Sequence, residues 1–451
     1  MLAIKNVAFR AAFLGAAALF HVQSAWSGIP IQHWQQASGA AVYLVESQGI
    51  PMVDVQIDFD AGSRRDPAAQ AGLASVMAAM TSKGVRAAGG DALLDENALS
   101  EAWADLGASF GASASSDRLS FSLRSLTYPD LLAKATQLAA RQLAEPSFPP
   151  DVWLRERERL KASLREANTR PATLAGRAFA KAVYGEHPYG YEMTEETLAR
   201  IEVDDMQTLH ARRVLPCHAK VSIVGAVTRA QADALVSQLL ARLPPAATGA
   251  ACPTLPAVAE VAPLGAAVET RIPFQSAQAH VLIGQPGYKR SDPDFFPLLV
   301  GNYILGGGGF VSRLTAEVRE KRGLSYSVYS YFSPGLHAGA FTLGLQTRPD
   351  QADQAVQVSR EVVARFVAQG PTVAELQAAK DNLIGGFALR IDSNRKLLDN
   401  VANIAWNNLP LDYLDHWTEQ VGRITRDDIR AAFARKLQPE KMVTVIVGGK
   451  P

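Results

Sequence analysis

From Ala40 onward the chain alternates apolar and polar residues in short runs, then opens into longer stretches with a helical period. AAVYLVES (40–47) and VDVQIDFDAG (53–62) read as strands, the second with apolar residues at every second position as a strand with one buried face has. DLLAKATQLAARQLA (130–144) repeats its apolar positions at three and four residues and predicts an amphipathic helix. Strands and helices interleave without the even β-α-β spacing of a doubly wound sheet. The pattern predicts an α+β fold, with helices packed on one face of a largely antiparallel sheet.

The pattern also repeats. Displaced by 223 positions, IEVDDMQTLHARRVLPCHAKVSIVG (201–225) falls without gaps on ITRDDIRAAFARKLQPEKMVTVIVG (424–448). Ile201, Asp204, Asp205, Ala211, Arg212, Pro216, Ile223, Val224 and Gly225 recur at that step. Each copy reads as an acidic helix start, an amphipathic helix, a proline stop and a buried strand ending in glycine. The chain is a tandem duplication. PPAATGAACPTLPAVAEVAP (244–263), rich in Pro, Ala and Thr and without period, is the linker. Two homologous domains, 28–243 and 264–451, follow from it.

Composition sharpens this picture at three points. A length of 451 residues suits two domains of roughly 200 residues each. A formal net charge of +1 gives no electrostatic reason to expect nucleic acid or an anionic membrane as partner, and the basic run Arg155–Lys161 alternates with glutamates as a solvated helix face does. Lys5 and Arg10 precede the apolar run AAFLGAAALFHV (11–22) and small residues up to Ser27, which predicts a signal peptide over 1–27 and a periplasmic mature protein. That run is too short to span a bilayer, and no later segment is long and apolar enough, so no membrane attachment is expected after cleavage. Cys217 and Cys252 would then face an oxidising compartment. Cys217 leads into a predicted strand and Cys252 lies in the linker, which leaves their pairing open.

With the duplication established, five separated motifs carry a resemblance. IPMVDVQIDFDAGSRRDP (50–67), AGLASVMAAMTSKG (71–84), YGEHPYG (184–190), LGGGGFVSRL (305–314) and REKRGLSY (319–326) resemble, in order, the pitrilysin/insulinase family of zinc peptidases. Mitochondrial processing peptidase and the bacterial two-subunit peptidases are nearest in size and layout. The resemblance implies one clam-like half of a peptidase chamber. It also implies a helical H-x-x-E-H motif, in which two histidines one turn apart grip zinc and the glutamate activates water. Here those positions are Ser75, Ala78 and Ala79, and the later carboxylate ligand maps near Ala162 and Ser163. Alanine has no ligand atom and neutral serine is a poor one, so no metal is expected in this chain. Glu156, Glu158 and Glu166 read as helix surface, His187 as a turn residue, and the eight histidines include no i, i+4 pair.

The second half keeps what the first has lost. In the family, an arginine and a tyrosine spaced like Arg319 and Tyr326 lie across the cleft from zinc, where they hold the substrate carbonyl and its oxyanion. Gly306, Gly307, Gly308, Gly309 and Phe310 correspond to a glycine-rich loop of the non-catalytic processing-peptidase subunit that takes in substrate, with a helix-end turn as the plainer reading. No G-K-[ST] follows, so a phosphate loop is a poor fit. Taken together, the resemblance implies an exported non-catalytic subunit acting on a peptide substrate. Its partner would be a homologous H-x-x-E-H chain that carries the zinc, with a homodimer as the alternative assembly. A pseudo-peptidase scaffold, as in the respiratory bc1 complex, is the rival, and a lone enzyme with an unorthodox site is the weakest reading.

Overall fold

The computed structural model describes residues 28–244 and 252–449, so the expected signal peptide lies outside the described residues. The strands are β1 (Gln32–Gln35), β2 (Ala41–Glu46), β3 (Met52–Phe59), a small ribbon of β4 (Gly84–Val85) and β5 (Leu94–Asp95), β6 (Ser109–Ala114), β7 (Leu119–Leu126) and β8 (Lys220–Gly225). In the second half they are β9 (Glu269–Ile272), β10 (Ala279–Tyr288), β11 (Val328–Phe332), β12 (Gly339–Thr347) and β13 (Val443–Val447). One sheet runs β1-β2-β8-β3-β7-β6 and the other β9-β13-β10-β12-β11. Apart from β1 the two orders match strand for strand. In each, one pair alone is parallel, β2 with β8 and β9 with β13.

The helices repeat as closely. The first half holds α1 (Leu73–Met80), α2 (Glu96–Asp105), α3 (Pro129–Ala144), α4 (Pro150–Ala167), α5 (Pro171–Tyr184), α6 (Glu195–Ala199), α7 (Val203–Arg213) and α8 (Arg229–Leu240). The second holds α9 (Phe295–Asn302), α10 (Ala352–Gln369), α11 (Val373–Gly385), α12 (Asn394–Asn407), α13 (Tyr413–Arg423) and α14 (Arg426–Lys436). The 223-residue step carries the first residues of α3, α4, α5 and α7 onto those of α10, α11, α12 and α14. The local start signals differ between copies. Proline occupies the first helical position in α3, α4 and α5, whereas Thr372, Ser393 and Thr425 cap α11, α12 and α14 with side-chain oxygens.

Each sheet packs helices of its own half on one face, as the pattern predicts, and a helix of the other half covers the opposite face. Alternation on β3 sends Val53, Val55, Ile57 and Phe59 into a core with the first half's own helices. The opposite face is covered by α12 of the second half, whose Leu398, Val401 and Ala405 share a core with Tyr43, Val45 and Val224. Reciprocally, α5 crosses to the second sheet, where Ala175, Phe179 and Val183 pack on Val443, Val445 and Val447. The halves exchange equivalent helices, so the linker at 244–263 does not separate two self-contained packing units.

Nor is that linker a free tether. Cys252 is disulfide-bonded to Cys217, which closes the question the sequence left open. His187 Nε2 lies 3.0 Å from the carbonyl of Ala259, and Glu260 Oε1 accepts the Ala338 N–H at 2.9 Å. The described part of the linker is strapped to both halves.

Candidate functional site

The second half builds its site where helix gives way to strand. Helix α9 runs into a π-helical turn at Tyr303–Gly307, and a second π-helical turn, Thr315–Glu320, carries Arg319. Wide turns of this kind mark places where regular hydrogen bonding yields to another demand. Part of that demand is close packing against β11. A β-carbon on Gly306 would lie 2.4 Å from Ser330 Oγ and 2.5 Å from Ser330 N, so only glycine fits. Asn302 Nδ2 donates to the Ser330 carbonyl (3.0 Å), and Ser330 Oγ donates back to Asn302 Oδ1 (2.8 Å). Gly307 and Gly308 are likewise hemmed in by Asn302 and Tyr303, and Gly309 takes φ +61°. The four glycines are therefore a packed helix-end turn, not a slack loop, and they deliver Phe310 to the surface.

Arg319 and Tyr326 come together there. The Arg319 guanidinium lies 4.7 Å from the Phe310 ring centre and 4.5 Å from that of Tyr326, held by the face of each ring. Both aromatic residues are strongly exposed, Phe310 at 69% and Tyr326 at 80%. The backbone beneath is pinned: Gly323 N–H donates to the Arg319 carbonyl (2.8 Å), Leu324 N–H to that of Val318 (3.0 Å), and Ser325 Oγ to those of Ser327 and Gln346.

The ion pairs around this turn single out one cation. Lys321 and Arg322 both bind Glu317, and Arg313 makes a two-pronged pair with Glu375. Among the described residues Arg319 pairs with no carboxylate. A guanidinium placed by aromatic faces and beside an exposed phenol hydroxyl can bind a carbonyl or a developing oxyanion. The adjoining groove of about 650 Å³ is lined by Gly306, Gly309, Tyr329, Tyr331 and Phe332. Tyr329 and Tyr331 stack at 6.0 Å and stand half-exposed on β11. The sequence reading passed over these two tyrosines, although the spacing Tyr326, Tyr329, Tyr331 leading into an alternating strand was the available signal.

The first half presents the opposite case. Helix α1 starts at Gly72 with φ +104°, and Asp66 accepts the N–H groups of Gly72 (2.9 Å) and Ala74 (3.0 Å). Burial pushes the Asp66 carboxyl up to about 7 against those hydrogen bonds. Ser75 and Ala79 share one face, half-buried and exposed, while Ala78 is buried in the core. On α4, Ala162 and Ser163 are exposed. Glu96 and Glu156 are occupied by Lys83, Arg155 and Arg159. Glu156 is buried, in contrast to the surface role read from sequence, whereas Glu158 and Glu166 are exposed as expected and pair with Lys161 and Arg170. His187 caps a turn, accepting the Tyr189 N–H at 3.1 Å. These residues do not fit a zinc site. Among the described residues one His/Cys/carboxylate cluster has ligand spacing, Cys217, His218 and Cys252, and its two sulfurs are bonded to each other.

Comparisons with known proteins bear on both halves. The family model described as "Insulinase (Peptidase family M16)" matches residues 41–197, and that described as "Peptidase M16 inactive domain" matches 200–383. A crystal structure of a peptidase M16 inactive domain from Pseudomonas fluorescens superposes with a TM-score of 0.87 at 33% identity, covering 94% of this chain and 98% of that one. The "Non-peptidase homolog YmxG" of Helicobacter pylori is 26% identical over 447 residues, 94% of this chain and 95% of its own length. An "Uncharacterized zinc protease" of Streptomyces coelicolor is 28% identical over 272 residues, 59% of each protein. The match thus spans about three fifths of that curated relative.

Proposed function

The chain belongs to the M16, or insulinase, peptidase family as an inactive member, and on that premise we propose that it is the non-catalytic subunit of a two-chain zinc endopeptidase. It is exported, in this reading, to the periplasm, where it joins a homologous partner that carries H-x-x-E-H and the zinc. This chain supplies Arg319 to hold a peptide carbonyl and Tyr326 to donate to the oxyanion formed on it. Gly306–Gly309 set the floor beside them and Phe310 gives an apolar contact for the substrate. The observation that carries the reading is Arg319: the cation of its turn without a carboxylate, flanked by two exposed rings, in a chain whose α1 lacks every metal ligand. The disulfide supports an oxidising compartment.

Peptide cleavage by the reconstituted pair tests this. Tyr326→Phe should leave assembly and substrate affinity nearly unchanged and slow turnover by about 100- to 1,000-fold, the usual cost of one oxyanion donor. Arg319→Ala should also raise KM, because that side chain grips the ground state. Wild-type rates in both variants would remove the proposal. They would favour the second reading, a binding or scaffold protein, to which the name of the Helicobacter relative lends weight.

A further inference from the structure

Helix α13 opens with two carboxylates, Asp412 and Asp415. Asp412 has His416 at 3.4 Å, but Asp415 meets no basic side chain among the described residues. It meets the beginning of the first half instead. The Ile29 N–H donates to Asp415 Oδ1 at 2.9 Å. The other oxygen faces Gly28: a β-carbon built there would lie 2.5 Å from Oδ2 and 2.8 Å from Cγ. A side chain at position 28 would have to push the exposed Asp415 carboxylate aside, and the Gly28 α-carbon itself stands within about 4 Å of that carboxylate, one C–C bond of about 1.5 Å further back. Ile29 and Ile31 then pack on the core of the second half. Asp415 is exposed, and a carboxylate with one oxygen on a backbone N–H and the other facing a glycine has room for a cation at that second oxygen. The sequence offers a way to make that cation. Ala25 and Ser27 are small residues three and one positions before Gly28, behind the basic and apolar segments of a secretory leader.

We propose that export processing cuts the Ser27–Gly28 bond and that the Gly28 ammonium so released pairs with Asp415, fastening the mature N-terminus to the second half. In the cut, water adds across the amide. Ser27 leaves with the leader as a carboxylate, and Gly28 gains an amine that takes up a proton, since such amines titrate near pH 8. The agent is a signal-cleaving endopeptidase. The site rests on the export reading above, yet its two parts fail separately. Expression of the full chain with export, followed by intact mass, should give a product that begins at Gly28. A retained Met1, or a different first residue, overturns the processing step.

The pairing is tested on protein released from a fusion so that it begins at Gly28. Acetylation of the N-terminus at pH 7 by an activated ester, followed by mass spectrometry of the first peptide, reads the fraction of free amine. A nearby carboxylate favours the charged form, so the wild type should react about three- to tenfold more slowly than Asp415→Asn. Asparagine keeps an acceptor for the Ile29 N–H and removes only the charge. A variant that retains Ser27 ahead of Gly28 should react as fast as Asp415→Asn, because its ammonium is displaced. Equal rates in wild type and Asp415→Asn overturn the pairing.

Discussion

The two halves share one strand order, but the crossed face of the first buries charged groups beside its apolar contacts, which among the described residues that of the second does not. Toward α12, β3 turns Asp54, Gln56 and Asp58, all buried. Arg124 pairs with Asp54, while Arg118, Ser120 and Gln56 surround Asp58. Lys220 beside them donates to the carbonyls of Ala405 and Trp406, closing the C-terminus of α12. The equivalent face of the second sheet carries no buried charge among the described residues, and its Val443, Val445 and Val447 meet Phe179. One topology tolerates both because alternation fixes only which side chains share a face; that face can be satisfied by ion pairs or by packing. The site helices diverge in parallel. The duplication step carries α1 onto α9 within one residue. In the first half that helix is regular and stripped of ligands; in the second it runs into a π-helical turn beside Arg319. Irregular backbone persists in the half that retains candidate chemistry.

The largest effect expected on folding comes from the apolar crossing. Phe179→Ala should cost about 3–5 kcal/mol in urea unfolding. Hydrogen-exchange protection should be lost on β13 ahead of the first half's strands; loss confined to the first half would mean that α5 belongs there energetically. Gly306→Ala should cost about 1–3 kcal/mol, because its β-carbon strikes Ser330, and should also slow the reconstituted pair. Gly176→Ala on α5, with open space at its β-carbon, should be neutral or stabilising by up to about 1 kcal/mol.

Acidity should act on the halves with opposite sign. Asp66 titrates at about 7 when folded and near 4 when unfolded, so its contribution weakens as pH rises from 4 to 7, by at most about 1.4 kcal/mol per unit. Burial disfavours the charge on Glu375, but hydrogen bonds from Arg313 and Thr372 hold it at about 2, below its ordinary 4.5. Its contribution is complete above pH 4.5 and is lost as pH falls toward 2. Melting curves from pH 2 to 8 should lose the first trend in Asp66→Asn and the second in Glu375→Gln. The smallest effect is expected at the emptied positions. Ser75→His with Ala79→His should change stability by no more than about 0.5 kcal/mol and hold no zinc through dialysis. One zinc per chain retained, by elemental analysis, would reveal a third ligand supplied by the fold.

The duplication was legible as a repeated pattern and the element types as local periodicity, while Arg319 and Tyr326 were singled out by the family resemblance. Seven residues across a helix end and a Gly323 turn bring an arginine back over a tyrosine. What was not legible depends on contacts distant in the chain. Periodicity shows that α5 and α12 have apolar faces, not which sheet covers them. A helix-end turn at the glycine run was legible; the reason Gly306 must be glycine, Ser330 of the neighbouring strand, lies more than twenty residues away. The pairing of Cys217 with Cys252 depended on the linker lying against the first half, which composition does not encode.

The exchanged helices carry a consequence for how the molecule is made. A ribosome delivers the first sheet long before residues 394–407 exist to cover its inner face, and that waiting face holds Asp54, Gln56 and Asp58, which water solvates well. The apolar counterpart on β13 is synthesised almost last, at Val443–Val447, by which time α5 is already present to receive it. Contacts spanning over two hundred residues slow folding and lengthen exposure to aggregation. By order of synthesis, the face with the buried charges waits and the valine-lined one does not.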